Sequence, residues 1–175
     1  MNVLQRCVFS CCLLAPCLAW SHGPHEHGAV RLDIGVDAGT LTLQLESPLD
    51  NLLGFERAPR NGAERAAAAA AVATLKAAAT LFRIDPAAGC TPAAVSLNSA
   101  ALGLGAPEPG AQAGHADIDG SFEFRCSNAG RAAFVDVGLF AAFARIQRID
   151  VQVALATGQF KRTLKRPAQR VALKP

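Results

Sequence analysis

Three of the four histidines fall within six residues, in the run His22-Gly23-Pro24-His25-Glu26-His27. Neutral imidazole is the commonest metal ligand in proteins and suits zinc well. In an extended chain, residues two apart face the same side, so His25 and His27 can reach one ion. Pro24 stiffens the approach and keeps the segment out of a helix. The fourth histidine opens a second polar run, His115-Ala116-Asp117-Ile118-Asp119, in which polar and apolar residues alternate. A period of two places His115 and Asp117 on one face of a strand. Zinc is satisfied by about four nitrogen, sulfur or oxygen donors in a tetrahedron, so His22, His25, His27, His115 and Asp117 are the candidate ligands. Each cluster also has a plain reading without metal. The first is an unstructured terminus of biased composition, and the second is the solvated face of a half-buried strand.

The chain ahead of the histidines has the pattern of an export signal. Arg6 is its only charge, Cys7 to Trp20 is apolar, and Ala19-Trp20-Ser21 fits a small-x-small cleavage site. The apolar run is shorter than the ~20 residues that span a bilayer comfortably. The expected organisation is a signal peptide over 1–21, a His-rich mature terminus over 22–28 and one domain over 29–175. That implies a periplasmic protein with no transmembrane segment in the mature chain. Cys17 is a poor lipid-attachment site because Pro16 precedes it. The cleavage point also bears on the metal. A start at Trp20 would put His22 third from a free amine, a square-planar donor set suited to copper or nickel. The small-x-small rule favours the His22 start, which leaves tetrahedral zinc accessible.

Four of the six cysteines (Cys7, Cys11, Cys12 and Cys17) lie in the signal, which leaves Cys90 and Cys126. An isolated pair in an exported chain reads as a disulfide; the rival reading, two thiolate metal ligands, suits a reducing compartment better. The net charge of +3 argues against nucleic acid as a partner. Its excess is concentrated in Lys161, Arg162, Lys165, Arg166, Arg170 and Lys174, read as a solvated edge strand and tail. There is no H-E-x-x-H helix, G-x-S-x-G elbow or glycine-rich phosphate loop, so a non-catalytic protein is expected.

The elements that must position these residues follow from periodicity. Val30, Leu32, Ile34 and Val36 alternate with polar residues, as do Leu41, Leu43 and Leu45, around an Asp37-Ala38-Gly39 turn. This predicts a β-hairpin. Asn61 with Glu64 forms a capping-box pattern ahead of six successive alanines, Ala66 to Ala71, and predicts one long helix from Asn61 to Phe82. Val95 and Leu97, His115 to Cys126, Val135 and Val137, Ile149 to Leu155 and Phe160 to Lys165 predict further strands, with a helical turn at Leu139 to Phe143. Residues 100–114, rich in glycine, alanine and proline, predict a mobile loop. The fold class is α+β: an antiparallel sheet of about six strands with one long Ala-rich helix packed on it.

Several of these pieces together resemble a known family. His25-Glu26-His27-Gly28 before a hairpin, Leu45-Glu46-Ser47-Pro48, Asn51-Leu52-Leu53-Gly54-Phe55-Glu56-x-Ala58-Pro59, Cys90, His115-Ala116-Asp117, Phe124-x-Cys126 and Val137-x-Leu139-Phe140 are similar to the ZrgA-like zinc-uptake family of periplasmic proteins. The resemblance runs from His25 to about Leu164. It implies periplasmic zinc binding that aids zinc acquisition, with a zinc importer component as a partner. The chain departs from the family pattern in having no histidine in the loop over 100–114, and in carrying Arg57 where a histidine is common. Both departures lower the number of ions it can hold. The contrasting expectation is a structural or protein-interaction module of the periplasm whose histidines are incidental.

Overall fold

Alternating apolar residues build a six-stranded sheet with one greasy and one polar face. The computed structural model describes residues 26–105 and 116–174. Its strands are β1 (Ala29–Val36), β2 (Thr40–Pro48), β3 (Phe82–Ile84), β4 (Cys90–Asn98), β5 (Asp117–Cys126), β6 (Phe134–Val137), β7 (Arg148–Leu155), β8 (Gly158–Lys165) and β9 (Arg170–Ala172). The helices are α1 (Asp50–Leu53), α2 (Gly62–Lys76), α3 (Ala78–Leu81) and α4 (Leu139–Ala142). The larger sheet has the order β4-β5-β2-β1-β7-β8, and a second sheet has the order β3-β6-β9.

The predicted hairpin is β1–β2, with Leu32 opposite Leu45 and Ile34 opposite Leu43. Because side chains alternate, this register sends Val30, Leu32, Ile34, Leu41, Leu43 and Leu45 to one buried face. Ile118, Phe122 and Phe124 of β5 and Ile149, Val151 and Val153 of β7 extend the same face. Phe122 meets Phe82 edge-to-face with ring centroids 4.8 Å apart, which joins the small sheet to the large one.

Two expectations need correction. The large sheet is mixed rather than antiparallel throughout, because β1 and β7 run parallel, with Leu32 opposite Val151. Apolar alternation identifies a strand but not its neighbour, and these two lie more than a hundred residues apart in sequence. The Ala-rich segment is also not one long helix reaching Phe82. α2 stops at Lys76, Ala77 leaves helical geometry (φ −80°, ψ 55°), α3 adds a single turn, and Phe82 is already extended. Phe82 is buried and pairs with Val137 while Arg83 pairs with Asp136. Burial of an aromatic side chain in a strand pair thus outweighs the helix propensity of the preceding alanines. Only Ala68, Ala71 and Leu75 of α2 are buried, so the helix leans on the core by a narrow stripe.

The N-terminus of α2 forms as expected, with one variation. Asn61 Oδ1 accepts from the Glu64 N–H at 2.9 Å, but the Glu64 carboxylate reaches back to the Arg60 N–H at 2.7 Å rather than to Asn61. Cys90 and Cys126 stand directly opposite each other in the β4–β5 register and are joined by a disulfide. Among the described residues, no helix is long and apolar enough to cross a membrane.

Candidate metal-binding turn

His27 stands in a tight turn that leads into β1. Ala29 donates to the Glu26 carbonyl at 3.0 Å, and Gly28 has φ +81°. A positive φ at the third turn position is the geometry that glycine adopts without steric cost. Three anchors hold the turn. The Gly28 N–H donates to Asn51 Oδ1 at 2.6 Å, and Asn51 Nδ2 donates to the Ala29 carbonyl at 2.7 Å. The Gly28 carbonyl accepts from the Gln147 and Arg148 amides at 2.7 and 2.9 Å. The Glu26 carboxylate takes a two-pronged bond from Arg148 at 2.9 and 2.6 Å, which also holds it below the usual carboxylate range. His27, though 66% exposed at its side chain, is therefore presented by a pinned backbone.

Two carboxylates flank that imidazole. Nε2 lies 3.1 Å from Glu56 Oε1, and Nδ1 lies 4.0 Å from Asp50 Oδ2. Asp50 opens α1, whose C-cap Gly54 has φ +81° and turns the chain into Phe55 and Glu56. Arg145 clamps Asp50, giving its NH2 group to both carboxylate oxygens at 2.9 and 2.8 Å and its Nε to the Asp50 carbonyl at 2.8 Å. Arg57 faces elsewhere: it lies over the Phe55 ring at 4.8 Å and makes a paired bond to Glu64 at 2.7 and 2.9 Å. The residue standing where a histidine is common thus ties this loop to α2.

On the polar face of the sheet lies a cleft of about 450 Å³. Its lining includes Glu26, Asp33, Glu46, Asp117, Asp119 and Asp150, interleaved with Arg31, Arg148, Lys161 and Arg162. Ion pairs neutralise part of this set, with Arg31 to Glu46 at 2.8 Å and Arg148 to Asp150 at 2.9 Å. Asp33 is pushed above its usual range by burial and then by the Glu46 charge, and its Oδ1 is buried without a hydrogen bond.

Of the predicted ligands, His27 and Asp117 are described; His22, His25 and His115 lie outside the described residues, as do the signal peptide and most of the loop over 100–114. Asp117 begins β5 opposite Pro48, the last residue of β2. The β1–β2 register puts Ala29 at that same end of the sheet. The turn and the start of β5 are therefore two strands apart, about 10 Å at the usual strand spacing. Glu26 and Ala29 of the turn line the cleft with Asp117, and His27 does not. Among the described residues, no three His, Cys, Asp or Glu side chains are grouped to hold one ion. Sequence reasoning missed Asp50, Asn51, Glu56 and Arg145. Three of these lie in or beside the Asn51 to Pro59 motif, but only tertiary packing reveals that this motif closes around the histidine turn.

Residues 24–173 match the family described as ZrgA family zinc uptake protein. The chain belongs to that family. No curated protein matches it. The ZrgA match begins ahead of the His27 turn and ends beyond β9, so the turn, α1 and both sheets all fall within the family unit. Membership relates the chain to zinc uptake.

Proposed function

We propose that the chain is a non-catalytic, periplasmic zinc-binding accessory of zinc uptake, which takes up the ion and passes it to an importer component. The supporting observation is the pinned turn that presents His27 beside two carboxylates in a member of a zinc-uptake family. An imidazole held against oxygen donors suits zinc, which accepts nitrogen and oxygen ligands. His22 and His25 supply further nitrogens from the chain just ahead of the turn. Asp117, at the same end of the sheet, and His115, two residues before it in sequence, are further candidate donors. Copper or nickel would compete at the terminus only if the mature chain began at Trp20, which the intact mass of the exported protein decides.

The reading is tested by the metal content of protein purified from the periplasm without chelator. About one zinc per chain is expected. Metal-free protein that takes up no zinc on dialysis would overturn the reading in favour of an interaction module with incidental histidines.

A further inference from the structure

We infer that Glu56 is a zinc ligand paired with His27, with Asp50 and Arg145 as positioning residues behind the imidazole. This rests on the reading that the N-terminal histidines take zinc. Glu56 Oε1 is buried and has no hydrogen bond, although it lies 3.1 Å from His27 Nε2. A buried carboxylate oxygen without a donor is unfavourable unless another partner completes it. The neighbouring cation does not do so, since Arg57 is engaged with Glu64 and Phe55. Zinc bonds of about 2.0–2.2 Å to nitrogen and oxygen place two tetrahedral ligands about 3.3–3.5 Å apart. The nitrogen and oxygen already stand near that separation, so an ion binds both with little movement.

The opposite side of the ring fits the same role. Metal-bound histidines characteristically direct their second ring nitrogen at a carboxylate, which fixes the tautomer and raises ligand basicity. Asp50 Oδ2 faces His27 Nδ1 at 4.0 Å, beyond hydrogen-bond length. A small ring shift towards Asp50 closes that gap and leaves the Nε2 lone pair for the ion. Arg145 holds the Asp50 carboxylate through two bonds, so Asp50 serves as a fixed charge and not as a ligand. Among the described residues, His27 and Glu56 supply two ligands, and the exposed side of the imidazole leaves room for water.

The test is zinc affinity by competition with a chromophoric chelator for the full mature chain, E56Q and H27A, together with the visible absorption of the cobalt(II)-loaded forms. E56Q and H27A are each expected to weaken zinc by at least ~10-fold. Cobalt(II) absorption should lose tetrahedral intensity in E56Q. Weakening in H27A alone overturns the role of Glu56 and leaves zinc binding at the turn intact. Unchanged affinity in both overturns the turn as the zinc site. A weakened E56Q with an unaltered cobalt spectrum overturns direct ligation. Should E56Q fail to fold, E56D is titrated in its place; tenfold weakening is expected, and wild-type affinity overturns the inference.

Discussion

At the scale of single residues, Asn51 joins the fold to the candidate site. Its side chain is buried and serves the Gly28 N–H and the Ala29 carbonyl at once. Asn51→Ala leaves two backbone groups without partners, at about 1–3 kcal/mol for each buried group. Chemical denaturation should show a loss of roughly 2 kcal/mol or more, and zinc affinity should fall with it because the turn loses an anchor. Wild-type stability in the variant would mean that water replaces the amide. His27 was singled out by residue type and spacing. The carboxylates beside it were not, because Asp50 and Glu56 lie 23 and 29 positions beyond His27 and reach it only through α1 and its glycine cap. Arg145 is farther still, and no local pattern marks it as the clamp on Asp50.

At the scale of elements, arginine–carboxylate pairs fasten the smaller parts to the sheet. Arg57 and the Arg60 N–H hold the Glu64 carboxyl at about 2, against an ordinary 4.5. Arg170 first, and then Arg83, hold Asp136 at about 2, against an ordinary 3.8, and so fasten β9 and β3 to β6. A carboxylate whose folded pKa is depressed stabilises the fold above its unfolded pKa and loses that contribution as pH falls. Stability should therefore be level above about pH 4.5 and decline towards pH 2. In acid titration followed by circular dichroism, Asp136→Asn should flatten part of that decline; an identical acid profile would show that the β3–β6–β9 cations are not coupled to folding. The hairpin, β5 and β7 were readable because each has one buried and one polar face over eight or more residues. β3 and β9 were not, since three residues carry too little alternation. The end of α2 was missed for the reason that Phe82 supplies: a tertiary contact ended the helix where its composition did not.

At the scale of the whole molecule, the larger sheet has two edge strands, and each is guarded differently. β4 carries Pro92 and a register shift between Pro92 and Ala94, while β8 carries Lys161, Arg162 and Lys165, both familiar obstacles to strand pairing between chains. The tail cations expected to be solvated include two with structural partners: Arg166 donates to the Phe143 and Ile146 carbonyls, and Arg170 binds Asp136. The disulfide closes a separation of 36 residues, which the chain-entropy relation values at roughly 3–4 kcal/mol. Reduction should lower the denaturation midpoint accordingly, and peptide mapping of native protein should find the two cysteines linked; two alkylatable thiols would contradict the pairing. The central claim is that this scaffold exists to present the histidine turn to zinc. Its most direct measurement is a calorimetric zinc titration of the mature chain beside His25→Ala/His27→Ala. The expected result is about one zinc per wild-type chain, binding that weakens as pH falls because protons compete with the metal for its ligands, and affinity reduced at least ~10-fold in the double variant. Equal affinity in the two proteins would contradict it.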